Sequence, residues 1–236
     1  MKKCTTKFTN SKTIFFAILL LCFFRVNAQI SVIRAAGAGQ NWTNSNNITA
    51  ADAAVATTTV SFNNNSPYLY ASNFGFSIPT GATITGIQAR ITRRGSNLTN
   101  GVRDVDVYVT PTGTPAGTNL AQATIWPTSL TQAIYGTSTS LWGQTWTPAQ
   151  INATTFGVLV RVTAPFANRV AAVDFVDVIV HYSIPPSITN FTPLQTCENA
   201  PQNVTINGSN FINVTGVWIG STPVPFNVLN SNTILI

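Results

Sequence analysis

Tyr182-Ser183-Ile184-Pro185-Pro186-Ser187-Ile188 divides the chain into two stretches of different texture. Upstream run short segments of alternating apolar and polar residues, and downstream a second strand-rich run begins. Neither proline carries an N–H, so the pair cannot continue a β-ladder and favours an extended spacer. Residues 184–187 therefore read as a semi-rigid linker between two β domains, residues 29–183 and residues 188–236.

Working upstream from the linker, period two recurs. Val173 to Tyr182 is nearly continuous in apolar character, and Phe156, Val158, Val160 and Val162 form one strand face. Val105, Val107 and Val109 alternate with Asp104, Asp106 and Tyr108, and Ile87, Ala89 and Ile91 alternate with Gln88, Arg90 and Thr92. Phe74, Phe76 and Ile78 alternate before the turn Pro79-Thr80-Gly81. Such alternation marks half-buried strands, and the spacing of the turn residues suits two packed sheets. One helical turn is expected at Thr147-Pro148-Ala149-Gln150-Ile151, where Thr147 can cap and Pro148 fits the first helical position. The fold class is all-β: an antiparallel, jelly-roll-like sandwich of about eight strands, then a second, truncated sandwich.

Charged residues make up 8% of the 236-residue chain, too few for a disordered polyelectrolyte beside 44% hydrophobic content. The formal net charge of +6 misleads, because Lys2, Lys3, Lys7, Lys12 and Arg25 fall in the N-terminal segment. Without them seven arginines face six acids, leaving about +1, and a nucleic-acid footprint is disfavoured.

Residues 1–28 have the three parts of a secretory signal: a basic start, the apolar run Thr13 to Phe24, and the small-residue cleavage pattern Val26-Asn27-Ala28. Cleavage before Gln29 and secretion to the medium or outer cell surface are expected. The apolar run is shorter than the ~20 residues a spanning helix needs, and no second one follows, so no span is expected in the mature chain. Cys4 and Cys22 leave with the signal, and Cys197 remains as an apolar filler or half of a bridge. The Asn-x-Thr/Ser triplets at Asn41, Asn97, Asn152 and Asn203 reflect Asn/Thr-rich composition more than glycan acceptors.

Two stretches carry resemblances. Asn73-Phe74-Gly75-Phe76-Ser77-Ile78-Pro79, Leu141-Trp142-Gly143-Gln144-Thr145-Trp146-Thr147-Pro148 and Val173 to Val178 resemble a β module of bacterial surface proteins to which no activity is attached. Pro186-Ser187-Ile188-Thr189-Asn190-Phe191-Thr192-Pro193, then Thr205-Ile206-Asn207-Gly208-Ser209-Asn210-Phe211 and Val217-Trp218-Ile219-Gly220, resemble the IPT/TIG domain. That is the immunoglobulin-like module of cell-surface receptors, adhesins and some transcription factors. The resemblance covers residues 185–236, lacks the family's final strands, and implies a fragment of a longer protein.

The side chains able to do chemistry are few. His181 is the lone histidine, and a Ser–His–Asp set with Asp177 lacks any Gly-x-Ser-x-Gly motif. A strand-end structural histidine is the plainer reading. Asp104 and Asp106 share one strand face, where they are weak calcium candidates, two ligands of the several calcium takes. The plainer expectation pairs Arg90 with one of them across a hairpin at Gly95–Gly101. Trp126, Trp142 and Trp146, with Tyr135 and Tyr68 nearby, are weighed as sugar-stacking rings against plugs of the sandwich end. Arg93, Arg94 and Arg103 gather around one loop as candidates for an anion or acidic-glycan contact, with solvated hairpin charge as the plainer reading. No cofactor other than calcium is in question, and with so thin an acid–base inventory an enzyme is not expected. The functional expectation is a surface protein that adheres to or binds an extracellular glycan or protein surface, with a carbohydrate-binding accessory module as the alternative.

Overall fold

A computed structural model describes residues 29–193, 203–212 and 214–236. Residues 1–28, expected above to be a secretory signal, and Cys197 lie outside the described residues. The chain divides after Pro185 into two compact units.

The first unit holds nine strands: β1 (Ile30–Ala35), β2 (Ala38–Gln40), β3 (Ala56–Val60), β4 (Leu69–Ser72), β5 (Thr83–Gly95), β6 (Arg103–Thr110), β7 (Thr131–Tyr135), β8 (Gly157–Thr163) and β9 (Arg169–Ser183). One sheet has the order β1-β9-β5-β7, with β3 also paired to β9, and the other has the order β2-β4-β8-β6. All recorded pairings are antiparallel. The long central pair β5–β9 presents Ile87, Ala89, Ile91, Val173, Val176, Val178 and Val180, all essentially without exposure, to a core shared with Val107, Val109, Val158, Val160 and Val162 of the other sheet. Burying each large aliphatic contributes about 1.5–3 kcal/mol, so this double layer carries most of the stability. Helix α1 (Pro148–Asn152) is the expected single turn, closed by a capping box between Thr147 and Gln150.

Three expectations change. Phe74, Phe76 and Ile78 are buried alternately as expected, yet the strand stops at Ser72. Asn73 (φ 58°) and Gly75 (φ 65°) adopt the left-handed conformation, so the segment keeps alternation in burial without a ladder. Second, Gly95–Gly101 is no hairpin: β5 pairs with β9 and β7, whereas β6 pairs with β8, so the loop crosses from one sheet to the other. Third, β6 is bulged between Asp104, opposite Val162, and Asp106, opposite Arg161. One extra residue reverses the facing of all that follows, so Asp104 and Asp106 lie on opposite faces. A second bulge, at Asp174 on β9, takes Val173 off the face that carries His181.

The second unit has a four-stranded sheet of order β10 (Ser187–Thr192), β11 (Thr205–Ser209), β15 (Thr233–Leu235), β14 (Asn227–Asn230), and a two-stranded sheet of β12 (Val217–Ile219) with β13 (Thr222–Val224). Its small core is Ile206, Phe211, Val217 and Ile234.

Candidate functional site

Three of the acids, Asp104, Asp106 and Asp177, are spent on arginine pairs, and Asp104 makes its pair inside the sandwich. Arg93 follows Ala89 and Ile91 on the inward face of β5, and Asp104 faces it from β6. Their side chains are 4% and 0% exposed. Asp104 accepts from an Arg93 guanidinium nitrogen, from Trp126 Nε1 at 2.8 Å, from the Tyr135 hydroxyl at 2.9 Å and from the Gln122 amide at 2.9 Å. The Arg93 guanidinium lies 4.6 Å from the centre of the Trp126 ring. A charge this deep is tolerated only with such a full set of partners. Burial, and then the Asp104 charge, push the Tyr135 hydroxyl pKa well up.

Asp106, across the bulge, accepts from Tyr68 at 2.8 Å, from Asn119 Nδ2 at 2.8 Å and from Arg161 Nε at 2.6 Å. The Arg161 guanidinium also lies 4.7 Å from the Tyr68 ring centre. Asp177 is gripped by Arg90 through Nε at 2.7 Å and a second guanidinium nitrogen at 2.5 Å. Arg90 thus pairs with β9, not with Asp104 or Asp106, because β9 is its true neighbour. The calcium reading fails on the same geometry. Asp104 and Asp106 point to opposite faces, each has its oxygens committed to donors, and no group of three metal-ligating side chains occurs among the described residues.

The tryptophans are plugs. Trp126, Trp142 and Trp146 are 0%, 2% and 8% exposed, which leaves no ring face for a sugar. Their Nε1 groups are spent inward: Trp126 on Asp104, Trp142 on the Ile87 carbonyl at 2.9 Å, and Trp146 on the Leu141 carbonyl at 2.9 Å. Trp146 also packs edge-on against Phe156, with ring centres 5.6 Å apart. Arg93 leaves the ligand-binding set for the same reason.

His181 sits on the outer face of the first sheet, 7% exposed. Its Nδ1 is 2.8 Å from Ser31 Oγ and its Nε2 is 3.0 Å from Gln88 Oε1. A neutral ring satisfies both if Nε2–H donates to Gln88 and Ser31 donates to Nδ1. Asp177 is engaged with Arg90 instead, so the Ser–His–Asp set is not assembled. Burial lowers the His181 pKa.

Three exposed apolar side chains and three arginines gather at one end of the sandwich. Three loops cross there between the sheets. Residues 61–66 leave β3, whose Val60 is opposite Arg169, and reach the other sheet where the Ser66 amide donates to Val162. Residues 164–168 join β8 to β9, and residues 96–102 run from Gly95, opposite Ala171, to Arg103, opposite Thr163. Since β3 and β5 flank β9, the crossings lie side by side, spanning about 10 Å at the usual strand spacing. At their exposed positions stand Phe62 (60% exposed), Phe166 (49%) and Leu98 (65%). Arg94, Arg103 and Arg169 border them, and none is in an ion pair among the described residues. The sequence reading found Arg94 and Arg103 but missed Phe62, Leu98, Phe166 and Arg169. Single apolar residues in polar loops carry no periodic signal, and only the crossings bring them together.

Residues 186–236 match the family model of the IPT/TIG domain, an immunoglobulin-like domain found in extracellular and cell-surface proteins. No curated protein and no solved structure matched the chain. Among the described residues, no helix is long and apolar enough to cross a membrane.

Proposed function

We propose that this chain is an exported bacterial surface protein in which residues 29–183 act as a non-catalytic adhesion or binding module, with the immunoglobulin-like domain as a spacer. The observation that carries the reading is the row Phe62–Phe166–Leu98, three large apolar side chains held in water on three different loops at one end of a rigid sandwich. Apolar groups grouped this way, with arginines around them, characterise an interaction surface. The commitment of Asp104, Asp106 and Asp177 to arginine partners supports a scaffold role over acid–base chemistry. The IPT/TIG match supports the extracellular setting. The carbohydrate-binding alternative retains Phe62 and Phe166 as exposed rings in this region, since the three tryptophans are inside.

The test is a screen of residues 29–236 against a glycan array and against immobilised cell-surface material, with and without calcium, comparing wild type with Phe62→Ser/Leu98→Ser. Loss of a ligand in the double variant, with unchanged circular dichroism, is the expected result. Turnover of a glycan or peptide substrate that disappears in His181→Ala would overturn the non-catalytic assignment.

A further inference from the structure

The three crossings differ in what their conformation explains. Each contains an asparagine in the left-handed region: Asn63 (φ 52°), Asn100 (φ 52°) and Asn168 (φ 58°). Asparagine tolerates that conformation better than other non-glycine residues, so turn geometry accounts for these three residues without a ligand. It does not account for Phe62, Leu98 or Phe166. A loop position exposed by 49–65% carries a polar side chain at no structural cost, yet these positions hold two rings and a leucine. They are three of the five large apolar side chains that residues 29–185 expose among the described residues, and they share one end.

The charge around them is equally one-sided. Residues 61–66, 96–102 and 164–168 contain no acid. Strand alternation places Arg103, next to inward Asp104, on the outer side of one sheet, and exposed Arg94, next to inward Arg93, on the outer side of the other. Arg169 lies between them at the start of β9, its guanidinium 5.7 Å from the Phe166 ring centre. The Nε atoms of Arg103 and Arg169 are buried and have no hydrogen-bond partner among the described residues. In sequence the carboxylate nearest Arg94 and Arg103, Asp104, is used up by Arg93, Trp126, Tyr135 and Gln122 inside the sandwich, and the one nearest Arg169, Asp174, is buried at the β9 bulge with no ion pair among the described residues.

Resting on the binding reading above, we infer that this end docks peripherally on an anionic lipid surface, with Phe62, Phe166 and Leu98 entering the interfacial layer and Arg94, Arg103 and Arg169 at the headgroup phosphates. The apolar row suits the acyl boundary, and guanidinium forks suit phosphate oxygens. A soluble polyanion would satisfy the arginines but would leave Leu98, the most exposed of the three, without a partner. A polysaccharide platform would want rings throughout the row, and Leu98 offers none.

The test is co-sedimentation of residues 29–236, which omits the apolar run Thr13 to Phe24 that would itself partition into lipid. Vesicles of phosphatidylcholine with phosphatidylglycerol are compared with phosphatidylcholine alone, with soluble dextran sulfate as a third arm. The inference expects binding to the anionic vesicles, at least about tenfold weaker binding to the neutral ones, and weakening by added salt. Phe62→Ser/Leu98→Ser and, separately, Arg94→Gln/Arg103→Gln should each weaken anionic-vesicle binding about tenfold or more at unchanged melting temperature. No sedimentation with anionic vesicles, or retention by the folded Phe62→Ser/Leu98→Ser variant, overturns it. So does dextran sulfate competing fully while Leu98 proves irrelevant. A chain that ignores vesicles yet loses another ligand in Phe62→Ser/Leu98→Ser sinks the lipid assignment and keeps the binding surface. A chain whose ligand survives that variant sinks the surface itself.

Discussion

Arg93 and Asp104 are eleven residues apart in sequence and meet between two different sheets, each almost completely buried. The loop between them crosses the end of the sandwich, so this ion pair ties the sheets together directly beneath the exposed loops. Removing one partner leaves the other charged in an apolar interior. Asp104→Asn is therefore expected to lower unfolding free energy by about 3–5 kcal/mol, read from urea denaturation. Asp106→Asn should cost clearly less, on the order of 1 kcal/mol, because the Arg161 side chain remains 32% exposed and can turn to water. Equal losses would show that the inter-sheet pair has no special weight.

Alkaline pH should unfold the protein in a defined window. Burial, reinforced by the hydrogen bond to Asp106, pushes the Tyr68 hydroxyl from 10.0 up to about 12. Between those values the unfolded chain sheds a proton that the folded chain keeps, so stability falls as pH rises from about 10 to about 12. Tyr135 shifts in the same direction. A titration at 295 nm should show these phenols ionising together with the loss of circular dichroism. Their ionisation near pH 10 in a chain still folded would contradict the hydrogen-bonding described for them.

Acid pH acts through His181. Burial places its folded-state pKa below the ordinary 6.5, so the unfolded chain binds the proton first as pH falls. Its contribution to stability is undiminished above about pH 6.5 and declines below it. His181→Gln should flatten this part of the stability profile between pH 7 and 5, as read from urea midpoints. An unchanged slope would place the titration elsewhere.

Gly86 tests the packing of the loop that carries Trp142. A Cβ there would stand 2.2 Å from the backbone of Ser138, a segment held to β5 by the Ile87 amide donating to Ser140 at 2.9 Å. Backbone cannot swing aside as a side-chain tip can, so Gly86→Ala should destabilise by about 1–3 kcal/mol. The displaced loop should also expose Trp142, which will register as a red shift in tryptophan fluorescence. A variant with wild-type emission and stability would refute the close approach.

The first unit should stand alone. Its core is contributed by residues between Ala36 and Tyr182, so residues 29–185 expressed separately should unfold in one cooperative transition. A molten, dye-binding product would show that its stability depends on residues beyond Pro185.

Much of this protein was legible in the residues themselves. Period-two patterning marked β5, β8 and β9 and the faces they bury, because strand alternation is a local property of the backbone. Thr147-Pro148 marked its helical turn, and Pro185-Pro186 lies where β9 has ended at Ser183 and before β10 begins at Ser187. Candidate sites were harder to read. Arg93, Arg94 and Arg103 looked alike as loop arginines, yet strand alternation sends Arg93 into the interior and its neighbour Arg94 to water. Trp126 stood among rings weighed for a ligand against a plug, with the plug favoured, and its burial and bond to Asp104 make it a plug.

Amino-acid order alone determined the all-β class, the strand faces and the break at the proline pair, since each depends on residues within a few positions of one another. Tertiary structure decided which sheet each strand joins. That choice turned a presumed hairpin into a crossing, paired Arg90 with Asp177 and Arg93 with Asp104, and set Phe62, Phe166 and Leu98 in one row. The physical reason is that pairing partners and bulges depend on contacts between distant segments. A single inserted residue, such as the one between Asp104 and Asp106, reverses which side chains meet water.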